Sequence, residues 1–159
     1  MTPWIRINCS DLMFSASHFI TFDAERCESV HGHDYRVSVR IEGDANAFGY
    51  IVDFDWVRKV VRELIVPWDH HLLLPTAHPR MRVLAHDAAV EVLFADRRWV
   101  FPQSDCVLLP VANTTAEELS RFLAERFRGQ LAAANIRIRS AELELTESPG
   151  YAAGWTWTD

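Results

Sequence analysis

Three histidines, a cysteine and a glutamate gather in one short span of this chain: His18, Cys27, Glu28, His31 and His33. In a strand successive side chains point to opposite faces, so His31 and His33, two residues apart, present both imidazoles to one side. Tyr35, Val37, Val39 and Ile41 continue that parity, whereas Asp34, Arg36, Ser38, Arg40 and Glu42 make up the polar one. The histidine pair therefore ends the half-buried face of an amphipathic strand. His18 shares parity with Phe14 and Ala16 in an upstream alternating run, and an adjacent antiparallel strand would set it opposite the pair. Three imidazoles with a fourth position open are the ligand set of a catalytic zinc; structural zinc closes with four protein ligands. Cys27 leaves two arrangements open: a fourth ligand that closes the site, or a free thiolate beside the metal that acts as base or nucleophile. The alternative without a metal is a set of hydrogen-bonded histidines at a strand end.

Other stretches add candidate chemistry. Asp69 and His70 set a carboxylate beside an imidazole just after a helix, which is either an ordinary surface loop or, beside a metal site, a functional pair. Glu147 shares a face with Leu143 and Leu145, an inward row where an ionised carboxylate is unfavourable unless paired. A ligand with adjacent N–H donors would pair it. Asn113, Thr114 and Thr115 offer hydroxyls and backbone donors at a helix N-terminus, a place to grip a polar ring or an anion. Capping alone accounts for one of the two threonines.

Several elements must hold these groups. Residues 4–9 alternate as a first strand and lead into the His18 run; residues 34–41 form the return strand, and the connection 21–30 is expected to hold Cys27 beside the metal. Phe54, Val57, Val60, Val61, Leu64 and Ile65 recur at helical spacing after Asp53, which predicts a helix over 54–66 ended by Pro67. Residues 79–101 read as a β-hairpin, 82–86 against 89–94 with a turn at 96–98 before 99–101. That hairpin reads as decoration, with His78 and His86 solvated and without a role. Residues 107–109 give a short apolar strand. Thr115 as N-cap with Glu118 three residues later announces a second helix, whose stripe is Leu119, Phe122, Leu123, Phe127 and Leu131. A strand over 136–147 slips parity between Ile138 and Leu143, which predicts a bulge near Ser140 and Ala141. Tyr151, Trp155 and Trp157 follow in a final strand after the Pro149–Gly150 turn.

The chain of 159 residues, 1–159, suits one domain with a proper core. Its 49% hydrophobic and 24% charged residues describe an ordinary soluble protein. A net charge of −6 without a basic cluster argues against nucleic acid as partner, and phosphate-bearing substrates would need local positive charge. No apolar run approaches the ~18 residues of a membrane helix, and the N-terminus lacks a secretory pattern, so a cytoplasmic location is expected. Three cysteines at unrelated spacings make no disulfide framework, which fits a reducing compartment; Cys9 and Cys106 read as small core residues.

The order of motifs matches a known pattern. Phe14 to His18, Cys27 with His31-Gly32-His33 and Tyr35, Gly49 through Val52-Asp53-Phe54, Asp69-His70, Thr114-Thr115 with Glu117, and Glu147-Ser148 together resemble the 6-pyruvoyltetrahydropterin synthase family, including its bacterial branch, the 6-carboxytetrahydropterin synthases. The resemblance runs from residue 4 to the C-terminus, with 79–101 the least typical part. It implies an α+β tunnelling fold (T-fold), an antiparallel four-stranded sheet with two helices on one face, in chains that assemble into a homohexamer, a dimer of trimers with active sites between subunits. The implied substrate is 7,8-dihydroneopterin triphosphate, and the implied reaction eliminates triphosphate with internal redox rearrangement of the side chain. By the same resemblance His18, His31 and His33 hold zinc, Cys27 is the general base, and Asp69 and His70 form a relay. Glu147 clamps the pterin amino group and ring N–H, and Thr114 and Thr115 fix the ring; Glu117 matches the pattern without an assigned role.

Three positions depart from that pattern. Asp34 follows the His-Gly-His where asparagine is usual, Leu74 stands where asparagine usually ends the segment after Asp69 and His70, and Glu28 adds a carboxylate next to Cys27. Glu-x-x-His-Gly-His resembles a subgroup in which glutamate replaces the cysteine base and the side chain is cleaved to 6-hydroxymethyl-7,8-dihydropterin. Three readings follow: triphosphate elimination with Cys27, side-chain cleavage with Glu28, and a non-catalytic pterin- or purine-binding module with a closed Cys and three-His zinc. The pathway served, whether a modified tRNA base such as queuosine, a folate-like or methanopterin-type cofactor, or biopterin, is left open by the residues.

Overall fold

A computed structural model of the chain describes residues 1–158. Its frame is the long strand β3 (His31–Glu42), whose buried Tyr35, Val37, Val39 and Ile41 alternate with exposed or half-buried polar residues. Two shorter strands share one edge of it. β1 (Trp4–Ile7) pairs with its C-terminal half and β2 (Met13–His18) with its N-terminal half, both antiparallel, with His18 opposite His31. On the other edge lie β9 (Ser140–Ser148) and then β10 (Tyr151–Thr158), joined by a turn whose Gly150 takes a φ of 88°, where a glycine meets no steric penalty.

The sheet extends further than the expected four strands. β4 (His71–Pro75) runs parallel to β2, and β8 (Cys106–Leu109) runs parallel to β4, so the sheet is mixed and has seven strands among the described residues. β4 escapes a reading based on alternation because it is buried on both faces. Leu73 faces the main core, while Leu72 and Leu74 face a second apolar cluster, which yields a continuous run instead of a period of two.

Two helices cover the main core. α1 (Phe54–Ile65) is capped by the Asp53 carboxylate, which accepts from the Asp55 N–H, and buries Val57, Val60, Val61 and Ile65. Phe54, expected in that stripe, is 59% exposed. A 3-10 turn, Val66–Trp68, replaces the predicted last helical residue, where Pro67 provides no N–H. α2 (Ala116–Ala133) starts at Thr115, whose hydroxyl accepts from the Glu118 N–H at 3.3 Å. Thr115→Ala is expected to lose about 1 kcal/mol of stability. A thermal melt should record this as a drop of about 2–4 °C for a chain of this size.

Three further expectations are corrected. Residues 79–101 hold a three-stranded sheet, not a hairpin: β5 (Arg82–His86), β6 (Ala89–Phe94) and β7 (Arg97–Pro102). Arg97 and Arg98 belong to β7, and the turn is made at Ala95 and Asp96, with Ala95 at a φ of 51°. This sheet packs Val90, Val92 and Phe94 onto Leu72 and Leu74. His78 is also not solvated: its Nδ1 accepts from the Arg80 and Met81 N–H groups, and its Nε2 lies 2.8 Å from the Thr21 hydroxyl. Burial pushes its pKa down. The bulge predicted near Ser140 is absent from β9, which pairs in steady register from Ser140 to Thr146. The parity slip arises because the strand begins only at Ser140, where Arg139 N–H bonds Glu42 and ends the preceding loop.

Candidate active site

The N-terminal end of β3 and the C-terminal end of β2 converge beyond the helical core, and there the three imidazoles meet. Ligand-capable nitrogens of His18, His31 and His33 all lie within 4.8 Å of one another. Backbone carbonyls fix how two of them point. His18 Nδ1 donates to the Thr114 carbonyl at 2.8 Å and His31 Nδ1 donates to the Ser29 carbonyl at 2.9 Å. A carbonyl only accepts, so each of these rings carries a proton on Nδ1, and the neutral tautomer this selects has its lone pair on Nε2. His18 Nε2 is buried and makes no hydrogen bond. An orphaned, buried, lone-pair nitrogen aimed at two other imidazoles fits a divalent cation of the zinc type, and the carbonyl partners orient the rings as metal-binding histidines require. Burial pushes the His18 pKa down and favours the neutral ring such a cation needs.

Two carboxylates border this cluster. Glu147 Oε1 lies 3.4 Å from His18 Nε2 and 3.9 Å from His33 Nε2, and accepts from the Tyr35 hydroxyl at 3.4 Å. Burial, then the Glu147 charge, pushes the Tyr35 phenol up, so it stays a donor. Glu28 Oε2 lies 3.7 Å from His31 Nε2 and 3.3 Å from the Ile20 N–H that donates to it. A cavity of about 530 Å³ opens over the cluster, lined by the three histidines, Glu28 and Glu147, with Thr115, Ala116 and Glu117 at the start of α2 and residues 150–153 completing the wall. Its size suits a bicyclic ring with a side chain.

Cys27 is not part of that wall. Thr21 and Cys27 form an isolated bridge, and the Glu28 N–H bonds the Ile20 carbonyl at 2.9 Å, so residues 27 and 28 are extended and their side chains diverge. Glu28 enters the cavity. Cys27 packs against the cluster under the three-stranded sheet, and its Sγ accepts from Arg97 at 3.3 Å.

Asp69 and His70 also lie elsewhere. Asp69 Oδ1 accepts from the Ser15 N–H at 2.9 Å and lies 3.0 Å from His70 Nδ1; the Ser15 bond, before His70, holds its carboxyl below the usual range. His70 has a φ of 60° and an 81% exposed side chain, which lines a different cavity of about 490 Å³ with Ser15, Ser17, Gly32, His33 and Asp34. Thr114 turns inward, donating its hydroxyl to the Phe19 carbonyl at 3.0 Å. Its carbonyl, a group that side-chain reasoning does not consider, is what orients His18. The Tyr35 hydroxyl is a further site group that the sequence signals only through position, since Tyr35 and Glu147 lie one position beyond the Arg36–Thr146 pair on the same face.

Fold and site together define an α+β protein with a candidate metal centre at one end of a mixed sheet, beside a ring-sized acidic cavity. A family model described as 6-pyruvoyl tetrahydropterin synthase matches residues 9–156. A Methanocaldococcus jannaschii protein, provisionally named 6-carboxy-5,6,7,8-tetrahydropterin synthase, is 33% identical over 121 residues, 76% of this chain and 74% of that protein. A Haemophilus influenzae protein named 6-carboxy-5,6,7,8-tetrahydropterin synthase is 27% identical over 135 residues, 80% of this chain and 87% of that one. The crystal structure of Plasmodium vivax 6-pyruvoyl tetrahydropterin synthase aligns with a TM-score of 0.93 at 24% identity, covering 100% of this chain and 99% of that one, a likeness of fold. Two variants of that Plasmodium protein carry alanine or cysteine in place of a glutamate described as a catalytic residue.

The chain belongs to the 6-pyruvoyl tetrahydropterin synthase family. It is an enzyme of that type, with a lyase role in pterin biosynthesis.

Proposed function

We propose that this enzyme is zinc-dependent, takes 7,8-dihydroneopterin triphosphate, and cleaves its side chain to 6-hydroxymethyl-7,8-dihydropterin with Glu28 as base. The observation that carries this reading is the divergence of residues 27 and 28: the carboxylate enters the histidine cavity and the thiol leaves it. The glutamate described as catalytic in the Plasmodium protein points the same way. Held by the Nε2 atoms of His18, His31 and His33, zinc would supply Lewis acidity that makes the side-chain hydroxyls easier to deprotonate.

The chain's own groups do the rest. Glu147 accepts from the pterin amino group and ring N–H, which fixes the ring and gives its carboxylate the paired donors it lacks. Glu28 accepts the proton of the second side-chain hydroxyl. The bond between the first and second side-chain carbons then breaks, its electron pair moving onto the first carbon and the conjugated ring. A proton returned to that carbon leaves hydroxymethyl, and the two-carbon fragment departs as an aldehyde bearing the triphosphate.

A second reading, triphosphate elimination with Cys27 as base, is favoured by the names of the relatives and by the four-residue step from Cys27 to His31. It requires the thiol to turn into the cavity.

Asp69 and His70 serve as the proton relay in a site completed by another copy of the chain, within the homohexamer expected of this fold. An exposed imidazole, held by a carboxylate on a left-handed backbone and outside the wall of its own chain's histidine cavity, supports this arrangement. Mixed oligomers of His18→Ala and His70→Ala chains test it. Refolded together, they should recover activity that neither variant has alone, because some sites combine an intact cavity with an intact relay. No recovery in demonstrably mixed oligomers would place the relay within one chain.

A further inference from the structure

The three-stranded sheet β5–β7 lies against the loop that holds both candidate bases, and one of its side chains reaches a base directly. Arg97, the first residue of β7, donates from its guanidinium to Cys27 Sγ at 3.3 Å. The Cys27 side chain also packs on the cluster of Phe19, Leu72, Leu74, Val90, Val92 and Phe94 that the sheet closes. On the other side of the same extended dipeptide, Glu28 is aimed at the histidines and steadied by the Ile20 N–H. Because adjacent extended residues face opposite ways, whatever holds Cys27 outward holds Glu28 inward.

From this arrangement we infer that Arg97 is a positioning residue that selects which of the two adjacent bases faces the substrate. Its guanidinium anchors the thiol on the outer side of the loop, and the loop's geometry delivers the Glu28 carboxylate to the cavity. The three-stranded sheet is then a device for selecting the base, and the inference rests on the cavity being the pterin site proposed above. Arg97 is exposed and its side chain is absent from the core clusters, so its removal should leave the fold intact.

Two readouts test this on the full-length, metal-loaded protein. In the first, Cys27 alkylation by iodoacetamide is mapped by mass spectrometry with and without saturating 7,8-dihydroneopterin. The wild-type rate should be indifferent to the ligand because the thiol lies outside the cavity, whereas in Arg97→Ala the freed thiol should become protected by it. In the second, turnover of 7,8-dihydroneopterin triphosphate is followed. Arg97→Ala should lose about tenfold in kcat with little change in KM, the scale of one charge-assisted hydrogen bond, and shift products toward triphosphate elimination. Arg97→Lys, which keeps a donor, should restore most of both. Protection of Cys27 in the wild type, or alkylation indifferent to ligand in Arg97→Ala, overturns the inference. If the alkylation pattern holds but no hydroxymethyl product forms from the wild type, the positioning role of Arg97 stands and the proposed reaction falls.

Discussion

His18→Ala is expected to lose bound zinc and to reduce kcat/KM about a thousandfold, since Lewis-acid stabilisation of a developing alkoxide amounts to several kcal/mol. His18 is the most constrained member of the triad. It is almost fully buried, its Nδ1 is committed to Thr114, and its Nε2 has no partner other than what the cavity holds. Deleting it removes one ligand and leaves the Thr114 carbonyl without its donor, so no neighbouring group can compensate. Metal content measured by mass spectrometry on the purified variant, alongside its kinetics, distinguishes this role from a structural one. A His18→Ala protein with normal metal content and normal turnover would show that the imidazoles are only hydrogen-bonded residues at a strand end.

Glu28→Gln is expected to lower kcat roughly 100- to 10,000-fold, the range for a lost general base, with a smaller change in KM. Glutamine preserves the shape and the bond from the Ile20 N–H but cannot take up the proton. Cys27→Ala, by contrast, should lose no more than the roughly tenfold expected of Arg97→Ala, because its thiol serves only as the anchor for Arg97 and makes no transition-state contact. The two substitutions sit one residue apart and predict opposite outcomes, which makes the comparison sharper than either variant alone. If Cys27→Ala is the inactive one, the thiol turns into the cavity during the reaction and the elimination reading holds.

Much of this site is legible in the sequence. The parity of His31 and His33 with Tyr35 and Val37, and of His18 with Phe14 and Ala16, placed three imidazoles on one face, and the strand register brings them together with His18 opposite His31. Counting from Leu143 and Leu145 puts Glu147 on an inward-facing row, and the structure brings its carboxylate to 3.4 Å from His18 Nε2. The contested pair was only half legible. Alternation shows that Cys27 and Glu28 cannot both face the metal, but which one does depends on the Thr21–Cys27 bridge and on Arg97, contacts between residues up to 70 apart. β4 was hidden because burial on both faces erases the alternation that marks a strand. Asp69 and His70 were expected near the metal, yet His70 lines a second cavity that shares only His33 with the first, a separation that spacing along the chain does not reveal.

The most direct measurement is the mass of the pterin released when the zinc-loaded enzyme is incubated with 7,8-dihydroneopterin triphosphate. Glu28 as the group facing the substrate predicts 6-hydroxymethyl-7,8-dihydropterin together with a two-carbon aldehyde that retains the triphosphate. A 6-pyruvoyl or 6-carboxy product with free triphosphate, and no hydroxymethyl product, would contradict it.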